Sequence, residues 1–218
     1  MLSQPNRTPQ HFGFLILSGC LLLVVSEAQT QSPSPPKVKV AASSPVAEPV
    51  HLEAGQLAPD FNVLDMNGQV RRLRDLRGQK ALLLTFFPKC FTFNCANHLQ
   101  SLRDVYPDLQ KEGIEVWGVS TDSAGGKRGQ LAFAKHLRLP FILLPDASRT
   151  LSLRYGSVQS VTQMAIRESI LIGKDGRIVW IDKQVDPRTH GMDVLKRVRA
   201  ETVAQKQESL KPNEKEKN

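Results

Sequence analysis

The sequence predicts an α/β domain in which helices flank a largely buried sheet. Continuous apolar runs at 81–87 and 114–119 are typical of strands that are covered on both faces. Stretches with apolar residues every three or four positions alternate with these runs and indicate helices. Turn signals at Asn67-Gly68 and at 173–176 indicate a hairpin near each end of the domain. Alternating strands and helices, closed by a hairpin and a last helix, form an α/β sandwich.

The first half of the domain is predicted to run hairpin, strand, helix, strand. Residues 61–73 form the hairpin, and the apolar run at 81–87 forms the first buried strand. A helix from 94 to 113 follows, because its apolar residues recur at helical spacing. Pro107 lies inside that helix and cannot donate a backbone hydrogen bond, so we expect a kink or a break near Val105.

Shorter elements complete the second half. Helices are predicted at 131–137, 149–155 and 192–204, and strands at 141–144, 164–172 and 177–182. The segment at 123–128 contains a Gly-Gly pair after a strand, but no P-loop sequence follows it, so we interpret it as a plain loop. The last helix is amphipathic and should close the domain against the sheet.

Composition limits the classes of function. The chain has 218 residues, of which 40% are hydrophobic, which suffices for one packed domain plus tails. Its net charge is +8, but the basic residues are dispersed and only 6% of residues are aromatic, which argues against a nucleic-acid surface. The five histidines are scattered, and we expect each of them at the surface. No Cys/His group has the spacing of zinc ligands, so no metal is predicted.

The N-terminus has the pattern of a targeting segment over residues 1–28. Arg7 precedes an apolar stretch at 12–25, which suits the hydrophobic region of a signal peptide and is short for a membrane span. Cleavage after Ala28 is one interpretation. A second is lipidation of Cys20, which ends a lipobox-like Leu-Ser-Gly-Cys sequence, and a third is an uncleaved anchor. All three predict an exported domain, periplasmic or otherwise extracytoplasmic, and the last two predict a membrane tether.

Composition also sets the borders of the folded domain. Residues 29–52 are rich in Pro, Ser, Ala and Gln and are predicted to be a flexible linker. Residues 53–204 form the predicted domain. Residues 205–218 are strongly polar and are predicted to be a disordered tail.

The segment between the first buried strand and the next helix carries the candidate chemistry. It reads Pro88-Lys89-Cys90-Phe91-Thr92-Phe93-Asn94-Cys95 and places Cys95 in the first turn of the helix. Free backbone N–H groups and the positive end of the helix dipole favour a thiolate there. The thiolate is the nucleophilic form of sulfur. Arg167 is the candidate cation beside it, because a guanidinium is always protonated and presents several donors.

The spacing Pro-x-x-x-Thr-x-x-Cys resembles the active-site signature of the peroxiredoxins, the cysteine-based peroxidases. Within that family, the residue pattern Pro-Lys-x-Phe-Thr-x-x-Cys is most similar to the bacterioferritin-comigratory (Q-type) subgroup. Further stretches within residues 53–200 resemble that family's landmarks in the family's order: Ala58-Pro59-Asp60-Phe61, Gly118-Val119-Ser120-Thr121-Asp122, Leu139-Pro140-Phe141, Asp146 and Arg167. The resemblance implies a thioredoxin-like fold, with a central mixed sheet flanked by helices and an N-terminal β-hairpin extension.

The resemblance also implies a role for each site residue. Cys95 would be the peroxidatic cysteine, Thr92 would hydrogen-bond the peroxide, Pro88 would shield the thiolate and Arg167 would activate it. The reaction would give a sulfenic acid at Cys95 and water or an alcohol. It would need no metal or organic cofactor. The expected partners are a peroxide and a thiol reductant such as a thioredoxin-like protein, and the expected assembly is a monomer or a weak dimer.

The sequence departs from the family's pattern around the second cysteine. Gln100 occupies the position where Q-type proteins often have a resolving cysteine, and Cys90 lies five residues before Cys95 instead. Cys90 is therefore a possible resolving cysteine that forms a disulfide with Cys95. That bond requires the two Cα atoms to come within about 7 Å, which means unwinding the start of the helix. Alternatively, Cys90 is a bystander and an external thiol reduces Cys95.

Two other functions stay open on the same residues. A thioredoxin-fold thiol–disulfide oxidoreductase would use Cys90 and Cys95, although the sequence contains no CxxC. A non-enzymatic thioredoxin-fold binding or metal-delivery module would show no peroxide-dependent change at Cys95.

Overall fold

The computed structural model describes residues 50–209. The strands are β1 (Asn62–Leu64), β2 (Val70–Arg72), β3 (Ala81–Phe86), β4 (Ile114–Ser120), β5 (Ile142–Pro145), β6 (Glu168–Ile172) and β7 (Ile178–Asp182). The helices are α1 (Phe93–Lys111), α2 (Gln130–Leu137), α3 (Thr150–Arg154) and α4 (His190–Ser209), with a 3₁₀ turn at Leu73–Leu76. Cys20, the targeting segment, most of the linker and residues 210–218 lie outside the described residues. Within residues 50–209, no helix is both long enough and apolar enough to span a membrane.

The central sheet has five strands in the order β5-β4-β3-β6-β7. Strands β3, β4 and β5 run parallel, whereas β6 is antiparallel to β3 and β7 is antiparallel to β6. Strands β1 and β2 form the separate two-stranded N-terminal hairpin. The mixed sheet, its flanking helices and the hairpin confirm the predicted thioredoxin-like architecture.

Side-chain alternation along β3 divides the core between the two faces of the sheet. Leu83 and Phe87 point to the face that is covered by α1, α2 and α4. Leu84 and Phe86 point to the opposite face, which packs against α3 and the N-terminal hairpin. All four side chains are buried, which explains why this run is continuously apolar. Thr85 is the polar exception in the middle of the strand, and it lies on the face that α1 covers.

Helix α1 continues through Pro107, so the break that the sequence allowed near Val105 does not occur. The Pro107 side chain is exposed, while Val105 and Leu109 on the opposite side of the helix are buried against the core. Tertiary packing of this apolar face therefore outweighs the loss of one backbone hydrogen bond, as is usual for helices in proteins.

Helix α4 is longer than the sequence predicts at both ends. It begins at His190, two residues before the predicted start, because its first turn packs against α1. It extends to Ser209, so residues 205–209 of the predicted disordered tail are helical. Polar composition alone underestimates such a helix, since i,i+4 pairs such as Arg197–Glu201 support a solvated face.

Strand β6 begins at Glu168, four residues after the predicted start at Met164. Its antiparallel partner β3 ends at Phe86, which is paired with Glu168, so residues before Glu168 have no strand beside them. Arg167 therefore lies immediately before the strand rather than within it.

Candidate active site

Cys95 is the third residue of α1, as the sequence predicts. The helix begins at Phe93, and Thr92 is the residue that precedes its first turn. The carbonyl of Thr92 accepts the first intrahelical hydrogen bond, from the backbone N–H of Ala96 at 2.9 Å. The backbone N–H groups of this turn have no partner within the helix, so they contribute positive potential at its start. The Cys95 side chain itself is buried, with only 1% of its surface exposed.

Arg167 contacts the sulfur of Cys95. Its Nη2 donates a hydrogen bond to Sγ of Cys95 at 3.3 Å, and the side chain is half-buried. Arg167 lies in a bend immediately before β6, and its guanidinium reaches both Cys95 and His98 of α1. Arg167, the cation predicted from the sequence, therefore lies beside the predicted nucleophile Cys95, although the two residues are 72 positions apart in the chain.

Thr92 and Pro88 lie on the loop that leads into α1. The hydroxyl of Thr92 donates to the carbonyl of Lys89 at 3.1 Å, and it does not cap the helix. Its oxygen lone pairs remain available as acceptors. Pro88 borders a cavity of about 450 Å³ whose other walls come from residues 156–159 and 163–166. The proposed contacts of Thr92 with a peroxide, and of Pro88 with the thiolate, stay predictions.

Cys90 is a buried free thiol in the same core cluster as Cys95. Its backbone N–H donates to Oδ2 of Asp122 at 2.7 Å, and the Ser120 hydroxyl donates to the same oxygen at 3.0 Å. Burial, followed by the charge of Asp122 and the hydrogen bond with it, raises the pKa of the Cys90 thiol far above its ordinary value. Cys90 is therefore protonated at neutral pH and is a poor nucleophile in this conformation.

Phe91 holds the same loop in an unusual conformation. Its φ is +58°, in the left-handed region that side-chain-bearing residues rarely adopt. The ring packs on Phe133 with the centroids 4.9 Å apart and on His136 at 5.7 Å, and the guanidinium of Arg128 lies 5.7 Å from its centroid. These contacts stabilise a backbone conformation that costs on the order of 1 kcal/mol, and they hold the loop at Phe91 against α2.

Two histidines that we expected at the surface are instead buried in the site. His98 and His190 have 0% and 1% of their surface exposed, and their rings meet edge to face with centroids 4.8 Å apart. Nδ1 of His98 accepts a hydrogen bond from Nη1 of Arg167 at 3.0 Å. His98 could have been found from the sequence, because it lies three residues after Cys95 and four before Leu102 on the apolar face of α1. His190 precedes the predicted helix and gave no such signal.

Both histidines are neutral at pH 7. Burial lowers the pKa of His98 well below its ordinary value, and His190 and Arg167 lower it further. Burial also lowers the pKa of His190, to about 4. The positive charge beside Cys95 is therefore that of Arg167. Among residues 50–209, no group of three or more His, Cys, Asp or Glu side chains is arranged to hold a metal ion.

Comparisons with known proteins identify the family of the chain. Residues 54–181 match the AhpC/TSA family. The chain is 37% identical over 151 residues to peroxiredoxin Bcp of Escherichia coli, which covers 66% of this chain and 94% of that protein. It is 34% identical over 143 residues to a protein of Coxiella burnetii described as a putative peroxiredoxin bcp, which covers 62% of this chain and 92% of the relative.

Solved structures give the same result for the fold. The crystal structure of peroxidoxin BcpB from Mycobacterium tuberculosis superimposes with a TM-score of 0.62 at 25% identity, covering 69% of this chain and 98% of that one. A PrxQ variant of Xylella fastidiosa superimposes with a TM-score of 0.64 at 22% identity, covering 70% of this chain and 99% of that one. The chain therefore belongs to the AhpC/TSA family and is a peroxiredoxin of the Bcp/Q kind, a thiol-dependent peroxidase.

Proposed function

We propose that this enzyme reduces hydrogen peroxide or organic hydroperoxides by attack of the Cys95 thiolate on a peroxide oxygen. The S–O bond forms as the O–O bond breaks, which oxidises the sulfur to a sulfenic acid and reduces the peroxide by two electrons. The second oxygen leaves with a proton as water or an alcohol. The observation that carries the proposal is the hydrogen bond of 3.3 Å from Nη2 of Arg167 to Sγ of Cys95.

Arg167 is suited to both halves of this step. A guanidinium stays protonated and presents its donors in a rigid fork, so it can hold the thiolate and the developing charge on the leaving oxygen together. The hydrogen bond from Arg167 to His98 fixes the orientation of that fork. Thr92 is placed at the start of the same helix turn, where its hydroxyl oxygen can accept a hydrogen bond from the peroxide O–H.

The sulfenic acid is then reduced by an external thiol, for which a thioredoxin-like protein is the proposed donor. Two observations favour this route over attack by Cys90. Asp122 holds the Cys90 backbone in place, and the same carboxylate together with burial keeps the Cys90 thiol protonated. A disulfide between Cys90 and Cys95 would require release of the Asp122 contact and unwinding of the first turn of α1.

The cellular location is a separate proposal that rests on the sequence of residues 1–28. We infer that the enzyme acts outside the cytoplasm, after signal cleavage or while tethered through its N-terminus. N-terminal mass analysis of the protein from its native host distinguishes a start at Gln29 from a lipidated Cys20. An intact cytoplasmic Met1 form would contradict export. A monomer or weak dimer is proposed for the assembly, and sedimentation over a concentration series tests it.

The product of one turnover tests the chemistry. Reduced enzyme is treated with one equivalent of hydrogen peroxide, and intact mass and free thiols are measured with time. Fast addition of one oxygen, absent in Cys95→Ser, supports the proposal. Fast loss of two hydrogens, absent in Cys90→Ser, would assign the resolving role to Cys90. Oxidation no faster than that of free cysteine would contradict peroxidase function.

A further inference from the structure

A chain of hydrogen bonds extends from Arg167 into the interior of the protein. Its contacts are Arg167 Nη1 to His98 Nδ1 (3.0 Å), His98 Nε2 to Thr85 Oγ1 (3.1 Å), Thr85 Oγ1 to Ser169 Oγ (2.6 Å), and Ser169 Oγ to His190 Nε2 (2.8 Å). Beyond it, Oδ2 of Asp182 lies 3.9 Å from Nδ1 of His190. We call this set the buried relay. Its four middle members are at most 1% exposed, so their polar groups depend on one another for hydrogen bonds.

The direction of every hydrogen bond in the relay follows from Arg167. A guanidinium only donates, so Nδ1 of His98 must accept and the ring proton must lie on Nε2. That proton is donated to the Thr85 hydroxyl oxygen. The Thr85 hydroxyl then donates to Ser169 at 2.6 Å, in preference to the carbonyl of Glu168 at 3.5 Å. The Ser169 hydroxyl is left to donate to Nε2 of His190.

The other end of the relay gives the same direction independently. The Asp182 carboxylate carries negative charge, so it favours a proton on Nδ1 of His190, which faces it. Nε2 of the neutral His190 ring is then an acceptor, as the donation from Ser169 requires. The two ends therefore agree, and the relay has one consistent arrangement of protons.

The charged groups around the two rings maintain this arrangement. Arg167 disfavours a proton on Nδ1 of His98, because two donors would then face each other. His190 is buried beside Asp182 of β7 and near Asp193 of α4, which favour its charged form, but burial outweighs them and lowers its pKa to about 4. Both rings therefore stay neutral over the working pH range, and the relay keeps its direction.

Close packing of α4 on α1 fixes His190 within the relay. A Cβ atom at Gly191 would overlap the backbone carbonyl of Ser101, so only glycine permits this approach. The N–H of Gly191 donates to the Ser101 hydroxyl at 3.2 Å. The His190 ring is thereby held against His98, in the position where it can accept from Ser169.

We propose that Ser169 and His190 are positioning residues for peroxide reduction, which act on Arg167 through Thr85 and His98; this inference rests on the proposed function of Cys95. Without the acceptor on His190, the Ser169 hydroxyl no longer has to donate to that ring and can donate to Thr85 instead. Thr85 then donates to Nε2 of His98, which moves the ring proton to Nδ1. Nδ1 can no longer accept from Arg167, and the guanidinium loses the contact that orients it toward Cys95.

Two substitutions of His190, one without a hydrogen-bond acceptor and one with an acceptor, test the relay. His190→Phe fills the space without an acceptor, whereas Oε1 of His190→Gln can accept from Ser169. Two readouts are measured on protein whose circular dichroism shows that it is folded: the rate constant for oxidation of Cys95 by hydrogen peroxide, and the pH midpoint of Cys95 alkylation by iodoacetamide. We expect His190→Phe to lower the rate constant roughly 10- to 100-fold, as loss of a supporting contact does at other preorganised sites, and to raise the alkylation midpoint. Because Gln retains an acceptor, His190→Gln should bring both the rate constant and the alkylation midpoint close to the wild-type values.

Controls separate this inference from the proposed function. Ser152→Ala is the matched control for Ser169→Ala, because Ser152 is also fully buried and its Oγ has no hydrogen-bond partner among the described residues. Ser169→Ala should lower the rate constant and raise the alkylation midpoint as His190→Phe does, and it still tests the relay if His190→Phe does not fold. Ser152→Ala should change neither readout. Equal values for wild type, His190→Phe and Ser169→Ala would overturn the relay, as would equal losses in His190→Phe and His190→Gln. If the wild type does not react with peroxide, the proposed function is wrong. The alkylation midpoints of the wild type and the variants still show whether the relay acts on Cys95.

Discussion

The side chains of Cys95 and Arg167 define the site at the scale of single residues. Helix α1 supplies the sulfur and its surrounding amides, and the residue before β6 supplies the cation. The contact of 3.3 Å joins them across the interface between helix and sheet. Neither element makes the site alone, because the helix carries no basic residue in its first turn. Peroxide chemistry at Cys95 therefore depends on how α1 packs against the sheet.

Arg167→Lys should impair the reaction although it keeps the positive charge. An ammonium group lacks the planar fork, so it cannot contact Cys95 and His98 together in the geometry that Arg167 adopts. We expect the rate constant for Cys95 oxidation to fall by about 10²- to 10³-fold, as for loss of one preorganised donor. Stopped-flow oxidation by hydrogen peroxide measures it, with Lys174→Arg on the far hairpin as a control. A rate within twofold of the wild type would show that charge alone suffices.

Cys90→Ser should leave the first oxidation step intact. Asp122 holds the Cys90 backbone N–H, and this contact survives the substitution because it does not involve the side chain. The variant and the wild type should accumulate the same sulfenic acid at Cys95, which a sulfenic-acid-specific probe and intact mass detect. A disulfide that appears in the wild type alone, at a rate comparable to peroxide reaction, would show that the loop opens and that Cys90 resolves Cys95.

Local sequence predicted Cys95, Thr92 and Pro88 because their spacing lies within one strand–helix connection. It also selected Arg167, as a charged residue in an apolar stretch and a position that matches the family. It did not place His98 and His190 in the interior. A histidine in or next to a predicted helix can face solvent or lie buried with hydrogen-bond partners. Only the contacts with Arg167 and Ser169 show that these two rings are buried with partners.

At the scale of elements, the packing of α4 on α1 depends on a glycine. A side chain at Gly191 would overlap the Ser101 carbonyl, and relief of that overlap requires the two helices to separate. Gly191→Ala should lower the free energy of unfolding by about 1–3 kcal/mol, the usual cost of overpacking. Urea unfolding followed by circular dichroism measures it.

Gly125→Ala is the matched control for this substitution. Gly125 is exposed, and a Cβ atom there would meet nothing within 4 Å. We expect its free energy of unfolding to stay within about 0.5 kcal/mol of the wild type. If Gly191→Ala were equally harmless, the close approach of the helices would not be a constraint on the sequence.

The order and type of the elements could be predicted, and their ends could not. The apolar runs and turn signals specified all five strands of the sheet, since buried strands need continuous apolar residues. The start of β6 was wrong because pairing with the last residue of β3 decides it, and α1 continued through Pro107 because its apolar face is buried. Both outcomes depend on tertiary contacts that a sequence pattern does not contain.

For the whole molecule, the two buried histidines predict a loss of stability in mild acid. The unfolded chain binds a proton at each histidine near pH 6.5, whereas the folded state keeps His190 neutral down to about pH 4. A folded pKa below the unfolded one means that stability is complete above pH 6.5 and falls between pH 6.5 and 4. His190 contributes a loss of about 3 kcal/mol over this window, and His98 adds a loss in the same direction.

Urea unfolding at several pH values between 7 and 4 checks this prediction. Protonation of carboxylates also destabilises proteins in acid, so the comparison with His190→Gln isolates the share of His190. The variant should lose less stability than the wild type across the window. Identical pH profiles for the two proteins would contradict a neutral, buried His190.

The reactivity of Cys95 at neutral pH tests the central claim most directly. Iodoacetamide reacts with thiolates and not with thiols, so its rate of reaction with Cys90→Ser, after subtraction of the rate for a variant that also carries Cys95→Ser, reports Cys95. Because the Arg167 guanidinium contacts the sulfur, addition of Arg167→Met should slow this reaction at pH 7 by about tenfold or more. If Cys95 reacts as fast in Arg167→Met as with Arg167 in place, Arg167 does not activate Cys95, which contradicts the proposed mechanism.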